Sequence, residues 1–285
     1  MCTNGKKYSE EAIRFASEIF GVFKPEITIL FAGAKDKGEF AVNAGIKILE
    51  SYNLKVDIQI KESVDINDTR GIAMEIVKEA ENGLYDLLVL GSRGVSETIP
   101  GVSSYVLGDV PREVVKCVRI STLIVKEPEK LEKVLVAING SDASKEAAFF
   151  WGLVVNQNKW DEQKINLLTV TPELYGHSSE EIGPLTEEQL LALGQVTNEH
   201  TRRSYEIKKF LYEKYKVKSY IRLREGEVVE EILKETERDY DLIVLGREES
   251  GGNTFEAHLA AVVEQAQIPV LVIRRDAVKK IFELI

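Results

Sequence analysis

The segment Tyr85-Asp86-Leu87-Leu88-Val89-Leu90-Gly91 recurs as Tyr240-Asp241-Leu242-Ile243-Val244-Leu245-Gly246, so the chain writes the same strand, ending in the same glycine, twice. A run that is apolar at consecutive positions has no face for water. It belongs inside a parallel sheet covered by helices on both sides. Its recurrence implies duplication, and the 285 residues are enough for two cores of ordinary size.

The remaining apolar runs extend this pattern. Residues 27–31, 122–125, 134–138, 165–170 and 270–273 read as further strands, separated by helix-length amphipathic segments. Leu54, Val56, Ile58 and Ile60 instead alternate with mostly polar neighbours, as do Val217, Ser219, Ile221 and Leu223. Both stretches read as half-exposed edge strands. Residues 9–20 put Ala12, Ile13, Ala16, Ile19 and Phe20 on one helical stripe, and residues 227–238 do so with Val228, Val229, Ile232 and Leu233. The longest helix is expected over 187–215, opened by a capping box of Thr186 and Gln189.

Asn4-Gly5 and Asn139-Gly140 lie 135 residues apart and Gly91 and Gly246 lie 155 apart, a net insertion of 20 that falls mostly in 171–215. The copies join through the charged linker 127–132, which contains Pro128. This divides the chain into domains 1–127 and 132–275 and an amphipathic tail 276–285. The second copy alternates five strands with four helices. In the first, only Met1-Cys2-Thr3 precede Asn4-Gly5, too few for a complete central strand. A gap inside a parallel sheet would leave backbone donors and acceptors unsatisfied, so the expectation is a polypeptide that begins upstream.

A formal net charge of -10 with a pI near 5.1 argues against a nucleic-acid partner, which would be held by basic residues displacing counterions. No apolar run approaches the ~18 residues of a membrane span. Cys2 and Cys117 are the two cysteines, too few for a disulfide framework or a thiolate metal cage. Cys117, in a pattern with Val114, Val115 and Val118, reads as a small core residue. The opening residues lack a signal peptide's apolar core, and the expected setting is the cytoplasm.

Ligands of an open parallel sheet bind beyond the carboxyl ends of its strands. Two turns stand there in the first copy: Asn4-Gly5 and Gly91-Ser92-Arg93-Gly94. The bare backbone of Gly91 and Gly94 would let a phosphate approach, and Gly108-Asp109 opens a helix whose amino end attracts anions. Arg93 is more often a solvated side chain than a phosphate ligand. Asp109 puts an acid where a hydroxyl would help a phosphate, and its simplest role is a helix cap. In the second copy Arg247-Glu248-Glu249 follows the glycine, and Glu256-Ala257 stands where Gly108-Asp109 does. Binding is expected to be lost there; a substitute anion nest at Ser250-Gly251-Gly252 further along is the less favoured alternative. His177, His200 and His258 share no spacing for a metal or a general base, and Ser92 lacks the turn of a nucleophile. No enzyme is expected.

With these pieces in place the chain resembles the universal stress protein family in its tandem form. Val134-Leu135-Val136-Ala137-Ile138-Asn139-Gly140-Ser141 looks like the family's opening strand and loop. Residues 240–246, with Pro269-Val270-Leu271-Val272-Ile273, look like its closing half. The resemblance implies an α/β fold of the adenine nucleotide alpha-hydrolase-like kind. It would hold two open parallel five-stranded sheets, order 3-2-1-4-5, paired through their last strands as an intramolecular pseudo-dimer, and a homodimer besides. Members that bind ATP carry Gly-x-x-Gly, nine residues, then Gly with Ser or Thr, and an Asp after the first strand. Here thirteen residues, 95–107, separate Gly94 from Gly108, Asp109 replaces the hydroxyl, and Asn4 and Asn139 replace the Asp. The resemblance places ATP or AMP against Asn4, Gly5, Ala32, Gly91, Arg93, Gly94, Gly108 and Asp109. It implies a stress-response or regulatory binding protein. A nucleotide-independent dimerising scaffold and a slow nucleotide hydrolase are the alternatives.

Overall fold

The structure is a computed structural model that describes residues 1–33, 35–62, 68–92, 95–99, 102–105, 107–128, 130–160, 164–171, 199–248 and 253–275. Two compact units emerge, Met1–Glu129 with Val263–Val270, and Lys130–Val262 with Leu271–Ile285. Both are α/β, with parallel strands flanked by helices.

The first unit runs α1 (Lys7–Phe20), β1 (Ile27–Gly33), α2 (Lys35–Ser51), β2 (Val56–Glu62), α3 (Thr69–Asn82) and β3 (Leu87–Gly91). A hairpin of β4 (Val95–Ile99) and β5 (Val102–Tyr105) follows, then α4 (Asp109–Cys117) and β6 (Ser121–Val125). β1 pairs in parallel with β2, Ile27 opposite Val56, and β3 with β6, Leu87 opposite Ser121. Met1–Thr3 lie between β1 and β3. Cys2 N donates to Val89 O at 2.9 Å, Leu30 N to Met1 O at 2.8 Å and Thr3 N to Leu30 O at 2.9 Å. Met1–Thr3 thus bridge the two strands, with Cys2 and Leu30 forming an isolated parallel bridge. Burial pushes the Cys2 thiol up to about 11, so it stays protonated and behaves as a small apolar group.

Apolar clusters line both faces of these strands. Leu30, Leu88 and Leu90 pack with Ala73, Ile76, Val77 and Ala80 of α3 and Val114 of α4. Ile27, Ile29 and Phe31 pack with Ile13 of α1 and with Val42, Ile48 and Leu49 of α2. Each such side chain contributes roughly 1.5–3 kcal/mol on leaving water. Cys117 departs from the sequence expectation: it is exposed. The buried stripe of α4 is Val114 and Val115, and the helix ends at Cys117, so Val118 returns to the core from extended backbone.

After β6, the buried Lys126 donates from Nζ to the carbonyls of Val263 (2.6 Å) and Ala266, within the segment Val263–Val270 of the same unit. Burial pushes its pKa from 10.5 down to about 8.

The second unit runs β7 (Lys133–Ala137), α5 (Asp142–Asn158), β8 (Lys164–Thr171), α6 (Glu199–Tyr215), β9 (Ser219–Glu225), α7 (Val228–Thr236), β10 (Leu242–Arg247), α8 (Asn253–Gln265) up to Val262, and β11 (Val270–Arg274) from Leu271, the residues between belonging to the first unit. Its strands lie in the order β9-β8-β7-β10-β11. Val134 sits opposite both Ile165 and Leu242 in parallel register. The capping box at Thr186 and the start of the expected long helix lie outside the described residues, which take up the helix at Glu199. Among the described residues no helix is long and apolar enough to cross a membrane.

The polar face of β9 is covered by α7 through charges. Glu235, fully buried, accepts from Arg224 Nη2 at 2.7 Å and Nε at 2.9 Å, pairs with Arg222 Nε at 3.2 Å and accepts from Tyr240 OH at 3.0 Å. Burial and the Glu235 charge hold the Tyr240 phenol well above its usual range. A buried carboxylate with this many donors is costly to remove, because its partners then stay buried and unpaired.

Two stability predictions result. Glu235→Ala should lower the unfolding free energy by about 3–5 kcal/mol. Glu230→Ala, on the exposed side of the same helix, should stay within about 0.5 kcal/mol of the parent in urea titrations. For Lys126, the folded pKa lies below the unfolded one, so between about pH 8 and 10.5 the unfolded chain binds more protons. Stability relative to Lys126→Met should therefore rise with pH across that window. Urea midpoints measured at pH 7, 8, 9 and 10 check the sign.

Candidate functional site

Each unit turns from its first strand into its first helix through the same construction. Asn4 Oδ1 accepts from Lys6 N at 3.1 Å and from Ser9 Oγ at 3.0 Å, and Gly5 takes φ +70°. Asn139 Oδ1 accepts from Ser141 N at 3.1 Å, and Gly140 takes φ +79°. These are Asx turns, in which an asparagine side chain substitutes for a backbone acceptor and a glycine accepts the left-handed conformation. Asn4 and Asn139 therefore shape the turn itself, and Gly5 also lets the turn lie against α2: a Cβ there would sit 2.9 Å from Ala41 Cα.

The repeated glycine has a packing reason. A Cβ on Gly91 would stand 2.5 Å from Tyr8 O, and one on Gly246 would stand 2.3 Å from Ala143 O. The first turn of α1 or α5 thus rests directly on the end of β3 or β10. The strand end is open because its residue has no side chain.

Beyond β3, Ser92 N donates to Val125 O at 2.9 Å, while its hydroxyl is buried and has no hydrogen-bond partner among the described residues. Leaving such a group unmade costs about 1–3 kcal/mol. Arg93 and Gly94 lie outside the described residues. The extra length before Gly108 is taken up by the antiparallel hairpin of β4 and β5, Val95 opposite Tyr105. Gly108, rather than Asp109, is the N-cap of α4, and no side chain caps that helix. Asp109 is the first helical residue and lies 3.5 Å from Arg112 Nη1, whose Nη2 donates to Leu107 O at 3.3 Å. Ala32 lies on β1 opposite Lys61 and packs against the cluster that holds Cys2 and Leu30. The elements thus bring Asn4, Gly5, Ala32, Gly91 and Gly108 to carboxyl-terminal strand ends or the turns after them. A cavity of about 20 Å³ lined by Met1, Thr28, Glu79, Tyr85 and Leu87 lies at the opposite, amino-terminal ends of β1 and β3.

In the second unit the corresponding place is filled by the chain itself. Ala143 N, in the first turn of α5, donates to Glu248 Oε1 at 3.0 Å. Glu248 Oε2 pairs with Arg275 Nη1 at 3.2 Å, and Arg275 Nη2 reaches Asp142 Oδ2 at 3.0 Å. The Glu248 hydrogen bond and charge push the Arg275 pKa up. A carboxylate at a helix amino end is favourable, and here it comes from within the protein. α8 begins at Asn253, so Glu256-Ala257 lie one turn inside it, not at its amino end as expected from the alignment of the copies. Glu249 and Ser250-Gly251-Gly252 lie outside the described residues, as does His177. His258 Nε2 is 4.0 Å from Glu227 Oε1.

Sequence reasoning missed the orphaned hydroxyl of Ser92 and the Glu248–Arg275 pair. No local pattern marks the first. For the second, an acid directly after the strand and an arginine directly after the last strand were visible signals. Gly91→Ala and Gly246→Ala should each lower stability by about 1–3 kcal/mol through overpacking. Glu248→Ala should cost about 0.5–2 kcal/mol through loss of a helix-end acceptor. Thermal and urea unfolding of the three variants check both.

The profile described as the Universal stress protein family matches residues 1–126 and 130–274. No curated protein sequence matches the chain. Among solved structures, a universal stress protein from Archaeoglobus fulgidus DSM 4304 matches with TM-score 0.67 and 17% identity, over 96% of this chain and 97% of that one. A functionally unknown protein from Pseudomonas aeruginosa PAO1 matches with TM-score 0.65 and 14% identity, over 99% and 94%. A universal stress protein family protein from Arabidopsis thaliana with AMP bound matches 52% of this chain and 94% of that chain, at 22% identity and TM-score 0.35. At these identities the full-length likenesses show the fold. The family match, covering both halves around their shared Asn-Gly turns and glycine-ended strands, shows that this chain belongs to the universal stress protein family.

Proposed function

We propose that this chain is a cytoplasmic stress-response protein that binds an adenine nucleotide, ATP or AMP, in its first unit and acts as a regulatory binding protein rather than an enzyme. The observation that carries the reading is the buried, unpartnered hydroxyl of Ser92, placed directly after Gly91 where an open sheet receives its ligand. A phosphate or ribose oxygen would supply the missing partner. Gly108 supports the same reading, since α4 begins there without a side-chain cap and a helix amino end favours an anion. The acid beside it lies 3.5 Å from Arg112, which is shared with Glu264 at 2.8 Å. The second unit takes no nucleotide in this reading, because Glu248 already holds the first-turn amide of α5.

Asp109 and the self-filled second unit favour one competing reading, a nucleotide-independent dimerising scaffold. Calorimetric titration of the full chain separates the two. ATP or AMP should bind with one site per chain, Gly94→Glu should abolish the heat, and Ser92→Ala should weaken binding about tenfold, the scale of one hydrogen bond. Absence of heat with both nucleotides overturns the proposal and leaves the scaffold.

A further inference from the structure

The outermost strands of the two units are in different states. In the second, the apolar side chains of β9 are covered, with Ile221 1% and Leu223 3% exposed, and Arg222 and Arg224 are tied to α7. In the first, Ile58 is 48% and Ile60 38% exposed. The helices above explain the contrast. α6 contributes the buried Ile207, Leu211 and Tyr215, whereas α2 presents Gly38 to Ile60, a Cβ there standing 3.1 Å from Ile60 Cγ2. Among the described residues β2 pairs with β1 alone, so its other edge carries unpaired backbone groups beside exposed apolar side chains. That combination is a template for another strand.

The sequence of β2 selects the strand. Laid antiparallel to itself about Gln59, it sets Ile58 opposite Ile60 of a second copy, Val56 opposite Glu62, and Asp57 opposite Lys61, which within its own chain also pairs with Glu79 at 2.9 Å. Shifting the axis to Ile58 sets Lys55 opposite Lys61, and shifting it to Ile60 sets Ile58 opposite Glu62. Of these three, only the Gln59 register joins opposite charges, although the Ile58 register also sets apolar Val56 opposite Ile60. Facing like charges or an acid on an isoleucine opposes the other two. We propose that β2 is a docking edge for β2 of a second copy of this chain, with a twofold axis at Gln59. The interface needs no nucleotide, and it is distinct from the candidate site at the strand ends.

The axis makes a geometric test available. In a Cys117→Ser background, which removes the exposed thiol and keeps the buried Cys2, Gln59→Cys should cross-link to itself under mild oxidation. Facing residues of an antiparallel pair lie about 4.5–5.5 Å apart at Cα, within disulfide reach. Tyr220→Cys on β9, equally near an outer edge and 42% exposed, should stay uncross-linked. By sedimentation equilibrium the parent chain should dimerise, and Ile58→Lys and Asp57→Lys should each raise the dissociation constant at least tenfold while circular dichroism stays unchanged. A parent that stays monomeric at micromolar concentrations overturns the proposal. So does a dimer insensitive to Ile58→Lys, or one that leaves Gln59→Cys uncross-linked.

Discussion

The close approach of a helix's first turn to the end of a central strand is the contact on which both units are built. Gly91 and Gly246 permit it, since any larger residue would meet the backbone of Tyr8 or Ala143. The approach fixes where α1 and α5 enter, and it carries their amino ends to the carboxyl edge of the sheet. The Asx turns at Asn4 and Asn139 then deliver the chain to that point with their own backbone groups satisfied. A repeated heptapeptide thus records a steric requirement of the frame, met twice.

Around the frame the copies have diverged by changing what fills exposed or half-buried space. In the second unit charges do this work: Glu248 answers the amide end of α5, and Glu235 gathers Arg222, Arg224 and Tyr240 beneath α7. In the first unit the same regions are left open, with an unpaired Ser92 hydroxyl beyond β3 and uncovered isoleucines on β2. The Lys126 clamp on Val263 and Ala266 is an exception, a cation that satisfies carbonyls inside the first unit.

Much of this was legible in the residues because it rests on local periodicity. Consecutive apolar runs marked the central strands, alternation marked β2 and β9, and the Asn-Gly turns marked the passage into the first helices. The failures came where neighbours distant in sequence decide. The contacts of Met1–Thr3 with Leu30 and Val89, far along the chain, could not be read from those three residues alone. Cys117 shares a spacing with buried valines, yet α4 stops at that residue and leaves it outside. The covering of β9 by α7 could not be read from alternation, which treats a salt-bridged arginine and a solvated one alike. Nor could Ser92 be seen as orphaned, since a missing partner is a property of the surroundings.

The carboxylate of Glu248 behaves as a ligand that can never dissociate. Its local concentration at the α5 amide is set by chain geometry, so no solute level alters its occupancy. A unit closed in this way has a folding free energy independent of nucleotide, whereas a unit that binds a free ligand gains stability as RT ln(1 + [L]/Kd). On the proposed reading, one chain then carries a half of constant stability and a half whose stability rises with bound nucleotide. Removing nucleotide would lower the stability of the first unit and leave that of the second unchanged.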